Sequence, residues 1–194
     1  MRLYIVRHAK AADLPFASMS CAGVFAGHAQ ANADFKRPLT DRGRVQAQFL
    51  ARWVACSDRK PNLILASGAA RTQETAEFLR EAAACEVRTE RALAVDRPVS
   101  EVLEIIQANA QVRTLMLVGH NPQLGELLGV LACGLPPQQL TMRTGDLVGL
   151  DIRATDPIGS ARIAERQRLD DAPGPDESAL GAMVLEARRP AGAR

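Results

Sequence analysis

An α/β sandwich of three layers, helices on both faces of a mostly parallel sheet, is the fold class predicted for this 194-residue chain. Two observations predict it. Short, buried-looking runs rich in β-branched and aliphatic residues stand at 2–7, 63–66 and 114–118, and each leads within a few residues into a segment with helical periodicity. Strands that alternate with helices of this length build crossover units around a parallel sheet.

The elements follow in order. RLYIVR at 2–7 reads as a buried strand. Residues 11–36 carry Ala, Ser, Gly, Asp and Pro without period and read as one long loop. Thr40 is then placed to cap a helix whose first turn holds Asp41 and whose apolar stripe is Val45, Phe49, Leu50 and Trp53. Leu63–Ala66 is a second strand, leading through Ser67-Gly68 into a helix from about Ala70 to Ala83. A weak strand at 86–89 precedes a helix over 100–108, for which Ser100 is the expected cap. The strand at 114–118 runs into Gly119-His120-Asn121-Pro122, where Asn121 is expected to cap a helix that starts at Pro122. DLVGLDIR at 146–153 reads as the last strand. The domain is expected to span 1–154. Residues 155–194, rich in Arg, Ala, Asp, Gly and Pro, read as an appended tail, partly ordered at best.

Composition excludes several classes. The apolar fraction of 47% suits a folded domain. No apolar run reaches the roughly 18 residues that span a bilayer, so no membrane partner is expected. The apolar stretch at the N-terminus is too short for a secretion signal. Cys21, Cys56, Cys85 and Cys133 are widely spaced and form no metal-binding or disulfide pattern, which points to a reducing, cytoplasmic setting. With 4% aromatics and no dense basic run, nucleic acid is not an expected partner. No carboxylate cluster calls for a metal, and no cofactor is expected.

Chemistry concentrates just past the strands. Arg7-His8 follows the first strand, Arg71 comes soon after the second, and His120 follows the third. Ligands of open α/β sheets bind at the carboxyl ends of strands. Arg71 also falls in the first turn of its helix, where the macrodipole disfavours a cation by about 0.3–1 kcal/mol unless an anion sits beside it. His28, in the long loop, reads as a solvated residue.

The strings VRHAK (6–10), RPLTDRGRVQA (37–47), SGAARTQETAEFL (67–79), LVGHNPQLGELL (117–128) and MRTGDLVGLDI (142–152) resemble the histidine phosphatase superfamily, within it the SixA-type phosphohistidine phosphatases. The resemblance spans roughly 1–153 and implies a phosphoglycerate mutase-like fold. It implies that His8 is a nucleophile that becomes phosphorylated. Arg7 and Arg71 then bind phosphoryl oxygens, His120 stabilises the transferring group, and Arg37 is a further phosphate ligand. Three departures stand out. Gly68 and Glu74 replace the usual proline and glutamine, and Glu74, one turn from Arg71, is placed to compete with phosphate. Asp146 falls where a small or apolar residue is expected. Asp13 and Glu101 are the candidates for a general acid.

The implied substrate is a phosphorylated protein carrying phosphohistidine, since the blocks are joined by short connections and leave no cap domain. A phosphatase of small phosphate esters, sugar phosphates or nucleotides, is the alternative, with loop 11–36 as a lid. A catalytically idle phosphate-binding module is the third reading.

Overall fold

The computed structural model describes residues 1–14, 32–134 and 140–169. At its centre lies β1 (Arg2–Arg7). One side of β1 pairs in parallel with β4 (Thr114–Gly119), the other antiparallel with β5 (Leu147–Asp151). β4 pairs with β2 (Leu63–Ala66), and β2 with β3 (Glu86–Thr89), both in parallel. β6 (Arg162–Gln167) lies antiparallel on the outside of β5. The order is β3-β2-β4-β1-β5-β6, a mostly parallel sheet.

Period-two alternation divides the core into two layers. Tyr4, Val6, Ile64, Ala66, Met116 and Val118 face one way, against Phe49, Leu50 and Trp53 of α1 (Asp41–Cys56) and Ala76 and Leu79 of α2 (Ala70–Ala83). Leu3, Ile5, Leu63, Leu65, Leu115 and Leu117 face the other way, against Val99, Val102 and Ile106 of α3 (Val99–Ala108) and Leu124, Leu127 and Leu131 of α4 (Gln123–Cys133). These are the expected three layers. No helix among the described residues is long and apolar enough to cross a membrane.

The helix starts depart from expectation in two places. Thr40 caps α1 as read, its hydroxyl accepting from Gly43 N. Pro98, not Ser100, stands at the N-cap of α3, and Ser100 lies inside the helix. Pro122, not Asn121, stands at the N-cap of α4, because the Asn121 amide is turned away to donate to Met142 O at 2.8 Å. Val45, assigned to the buried stripe of α1, is exposed.

The sheet also runs past residue 154. β6 lies in the stretch read as tail, and a buried charge ties it down: Asp146, wholly inaccessible, is ion-paired with Arg166 at 2.7 Å. The carboxylate that looked out of place before β5 is thus the anchor for a strand whose own sequence is mostly polar. Residues 170–194 of the expected tail, and 15–31 of the long loop with His28, lie outside the described residues.

Candidate active site

Strand register brings the candidate residues together. Arg7 stands opposite Gly119 and Ala66 opposite Val118, so β1, β2 and β4 end on one line, and His8, Ser67 and His120 leave the sheet side by side. The rings of His8 and His120 are 5.1 Å apart, inclined at 60°. His120 Nε2 lies 3.0 Å from the Ser67 hydroxyl. Both imidazoles are buried.

The hydrogen bond of His8 selects its tautomer. Nδ1 lies 2.7 Å from the Ala9 carbonyl, which can only accept, so Nδ1 carries the hydrogen and Nε2 holds the lone pair. The backbone at this point is held from four sides. His8 N donates to Gly119 O, Ala9 N to the Thr75 hydroxyl at 3.1 Å, Lys10 N to Gln46 Oε1 at 2.9 Å, and Gly145 N to His8 O. The Thr75 hydroxyl donates in turn to Arg71 O at 2.7 Å, which joins the His8 turn to the first turn of α2.

Burial pushes the His8 pKa down to about 4. The Ala9 carbonyl opposes the shift, and the positive charges of Arg71, Arg7 and Arg37 add to it. His120 is pushed down to about 3 by burial first, then by His8 and Arg71. Both rings are therefore neutral near pH 7, and the lone pair of His8 needs no base to free it.

A cleft of about 560 Å³ opens over the two rings, lined by Arg7, Arg37, Arg71, His8 and His120 among others. The structure thus brings all five sequence-derived site residues to one place. Arg7 donates from Nη1 to Met142 O at 2.7 Å. Arg71 and Arg37 share one carboxylate, that of Asp34: Arg71 Nη2 is 3.1 Å from Oδ2 and Arg37 Nη2 is 2.7 Å from Oδ1. Arg71 Nη1 also donates to the Asp34 main-chain oxygen at 2.6 Å, and Arg37 Nη1 to Ala12 O at 2.8 Å. Burial alone would raise the Asp34 pKa, but Arg71 and Arg37 outweigh it and hold the carboxyl below its usual range.

Asp34 is the residue that the sequence did not announce. The expected competitor, Glu74, instead accepts from Leu39 N at 3.3 Å. Of the two general-acid candidates, Asp13 lines the cleft, while Glu101 is ion-paired with Arg97 at the start of α3. Gln46 and Thr75 were missed as well, although both fall inside the quoted blocks. Their signal was position: each lies one or two turns into a helix that begins beside the site.

A sequence model of the histidine phosphatase superfamily (branch 1) matches residues 3–94, the stretch that carries Arg7, His8, Arg37 and Arg71. The putative phosphohistidine phosphatase SixA from Agrobacterium tumefaciens is 27% identical, with a TM-score of 0.64 over 87% of this chain and 97% of that one. Over residues 3–94 the chain is therefore similar to the histidine phosphatase superfamily. The fold of the protein histidine phosphatase SixA in complex with tungstate is likewise similar, with a TM-score of 0.66 at 21% identity over 87% of this chain and 97% of that one. A relative from Picosynechococcus sp. strain PCC 7002, described only as uncharacterized, is 29% identical over 84% of this chain and 88% of its own length. The chain thus shares the phosphoglycerate mutase-like fold of these SixA-like phosphatases.

Proposed function

We propose that this protein is a histidine phosphatase that dephosphorylates phosphohistidine on protein substrates, with His8 as the nucleophile. The single observation that carries the reading is the buried His8 ring, its Nδ1 bound to the Ala9 carbonyl, at 5.1 Å from His120 and in one cleft with Arg7, Arg37 and Arg71. Phosphoryl transfer asks mainly for positioning and for positive charge around the equatorial oxygens, and Arg7, Arg37 and Arg71 supply that charge.

In the first step the P–N bond of the substrate breaks as a P–Nε2 bond forms on His8. The leaving imidazole departs neutral when its other nitrogen is protonated, so it makes a small demand on any protein acid. That matches a cleft whose lining carboxylates, among the described residues, are Asp13 and an arginine-bound Asp34. In the second step water attacks phosphorus, the P–Nε2 bond breaks, and inorganic phosphate leaves with His8 restored. His120, neutral beside Ser67, lies where it can hydrogen-bond the transferring group.

The test is a trap. Incubation with a labelled phosphodonor and a rapid quench should leave acid-labile, alkali-stable label on the wild type and none on His8→Ala. A phosphohistidine peptide should be hydrolysed faster than a sugar phosphate. Unchanged turnover in His8→Ala removes the nucleophile assignment; clear preference for the sugar phosphate moves the substrate to small esters.

A further inference from the structure

Resting on that reading, the geometry points to Asp34 as the residue that sets how tightly the site holds a phosphoryl group: its carboxylate occupies Arg71 and Arg37 in place of two phosphoryl oxygens and must leave them when substrate arrives. Several observations carry this. The two carboxylate oxygens are divided between the arginines, Oδ2 to Arg71 and Oδ1 to Arg37, as two oxygens of one phosphoryl group would be. Arg71 spends both terminal nitrogens on Asp34. Its side chain is 4% exposed, whereas that of Asp34 is 36% exposed, so the cation is fixed and the anion has somewhere to go. The Nε atoms of Arg71 and Arg37 are buried and unpartnered, leaving the terminal nitrogens as the donors that a ligand in the cleft can reach.

Arg71 lies in the first turn of α2, where its charge adds to that of the helix end and calls for an anion. The chain supplies that anion itself, from the helical turn just before Arg37. Asp34 holds Arg71 twice, through its carboxylate and through its main-chain oxygen. Rotation of the side chain alone releases Arg71 Nη2 and Arg37 Nη2 to the phosphoryl oxygens. The main-chain contact to Arg71 Nη1 is kept, and with it the position of the guanidinium. Asp34 is thus an internal competitor: it neutralises the arginine pair in the resting site, and its displacement lowers the affinity for phosphate and eases product release.

Asp34→Asn keeps the shape and the main-chain contact while removing the charge. Inorganic phosphate titrated into full-length wild type and Asp34→Asn by calorimetry should bind the variant about tenfold more tightly, the size expected for removing a half-exposed charge-assisted pair. Product inhibition of phosphohistidine-peptide hydrolysis should strengthen in proportion. Weaker phosphate binding in Asp34→Asn, with KM raised, shows that the carboxylate positions the arginines rather than competing for them, and overturns the inference; equal binding overturns it too. Asp34→Ser, which also lacks the charge, must follow Asn. Wild-type protein that binds phosphate without turning over phosphohistidine would count against the proposed function and leave the role of Asp34 to be decided by the binding data.

Discussion

Acid should unfold this protein through its two buried imidazoles before its carboxylates are protonated. His8 and His120 have pKa values pushed from 6.5 to about 4 and about 3, chiefly by burial. The charged form is disfavoured in the fold, so the unfolded chain binds more protons. Their stabilising contribution is full above pH 6.5 and is lost as the pH falls through that value toward 4 and 3. Between about pH 7 and about pH 5 linkage gives a loss of about 2 kcal/mol for each ring, about 4 kcal/mol together. That is a large share of the 5–15 kcal/mol by which a typical domain is stable. Urea denaturation at several pH values, on the wild type and on His8→Gln/His120→Gln, isolates the effect, because contributions from every other group cancel in the difference. The wild type should lose about 4 kcal/mol more than the double variant across this interval. Parallel stability curves, within about 0.5 kcal/mol of one another, would refute the claim that burial keeps these rings neutral.

Further expectations concern the scaffold. A Cβ on Gly43 would lie 2.1 Å from the Lys10 carbonyl, a backbone atom that cannot step aside; Gly43→Ala should cost about 1–3 kcal/mol in chemical denaturation and lower turnover, because Lys10 lies two residues from His8. Arg166→Met leaves the buried Asp146, among the described residues, with Arg168 Nε at 3.8 Å on its side-chain oxygens besides the Arg143 amide; with Arg166 half exposed, the loss should be about 1–3 kcal/mol, less than for a fully buried pair, and Asp146→Asn added to it should recover part of the loss in the same urea assay. Ala84 ends α2 in the left-handed region at φ 54; Ala84→Gly should raise stability by about 0.5–1 kcal/mol, and thermal melting that shows a loss would contradict the strain assigned to it.

What the sequence made legible divides along physical lines. β1, β2 and β4 are buried on both faces, so their inner residues are apolar, and the ends of β1 and β4 announced His8 and His120. α2 was read at both ends because its pattern is local. β6 was not read: RIAERQ has little apolar content, and what holds it is the β5 ladder and an ion pair to Asp146, a partner 20 residues away. The caps at Ser100 and Asn121 failed for a related reason, since capping propensity is local while the Asn121 amide is claimed by Met142, 21 residues on. Asp34 lies 37 residues from Arg71, in a stretch without periodicity, and only the folded chain makes it a neighbour.

The bond that orients His8 is made by a main-chain oxygen, which every amino acid possesses. Exchange of Ala9 for glycine or for any other small residue leaves that acceptor in place, so the tautomer is insulated from point mutation at its own contact. The vulnerable points are one step away, at Thr75 and Gln46, whose side chains receive the amides of residues 9 and 10. A loss of activity is therefore as readily sought on the inward faces of α1 and α2 as at His8 itself.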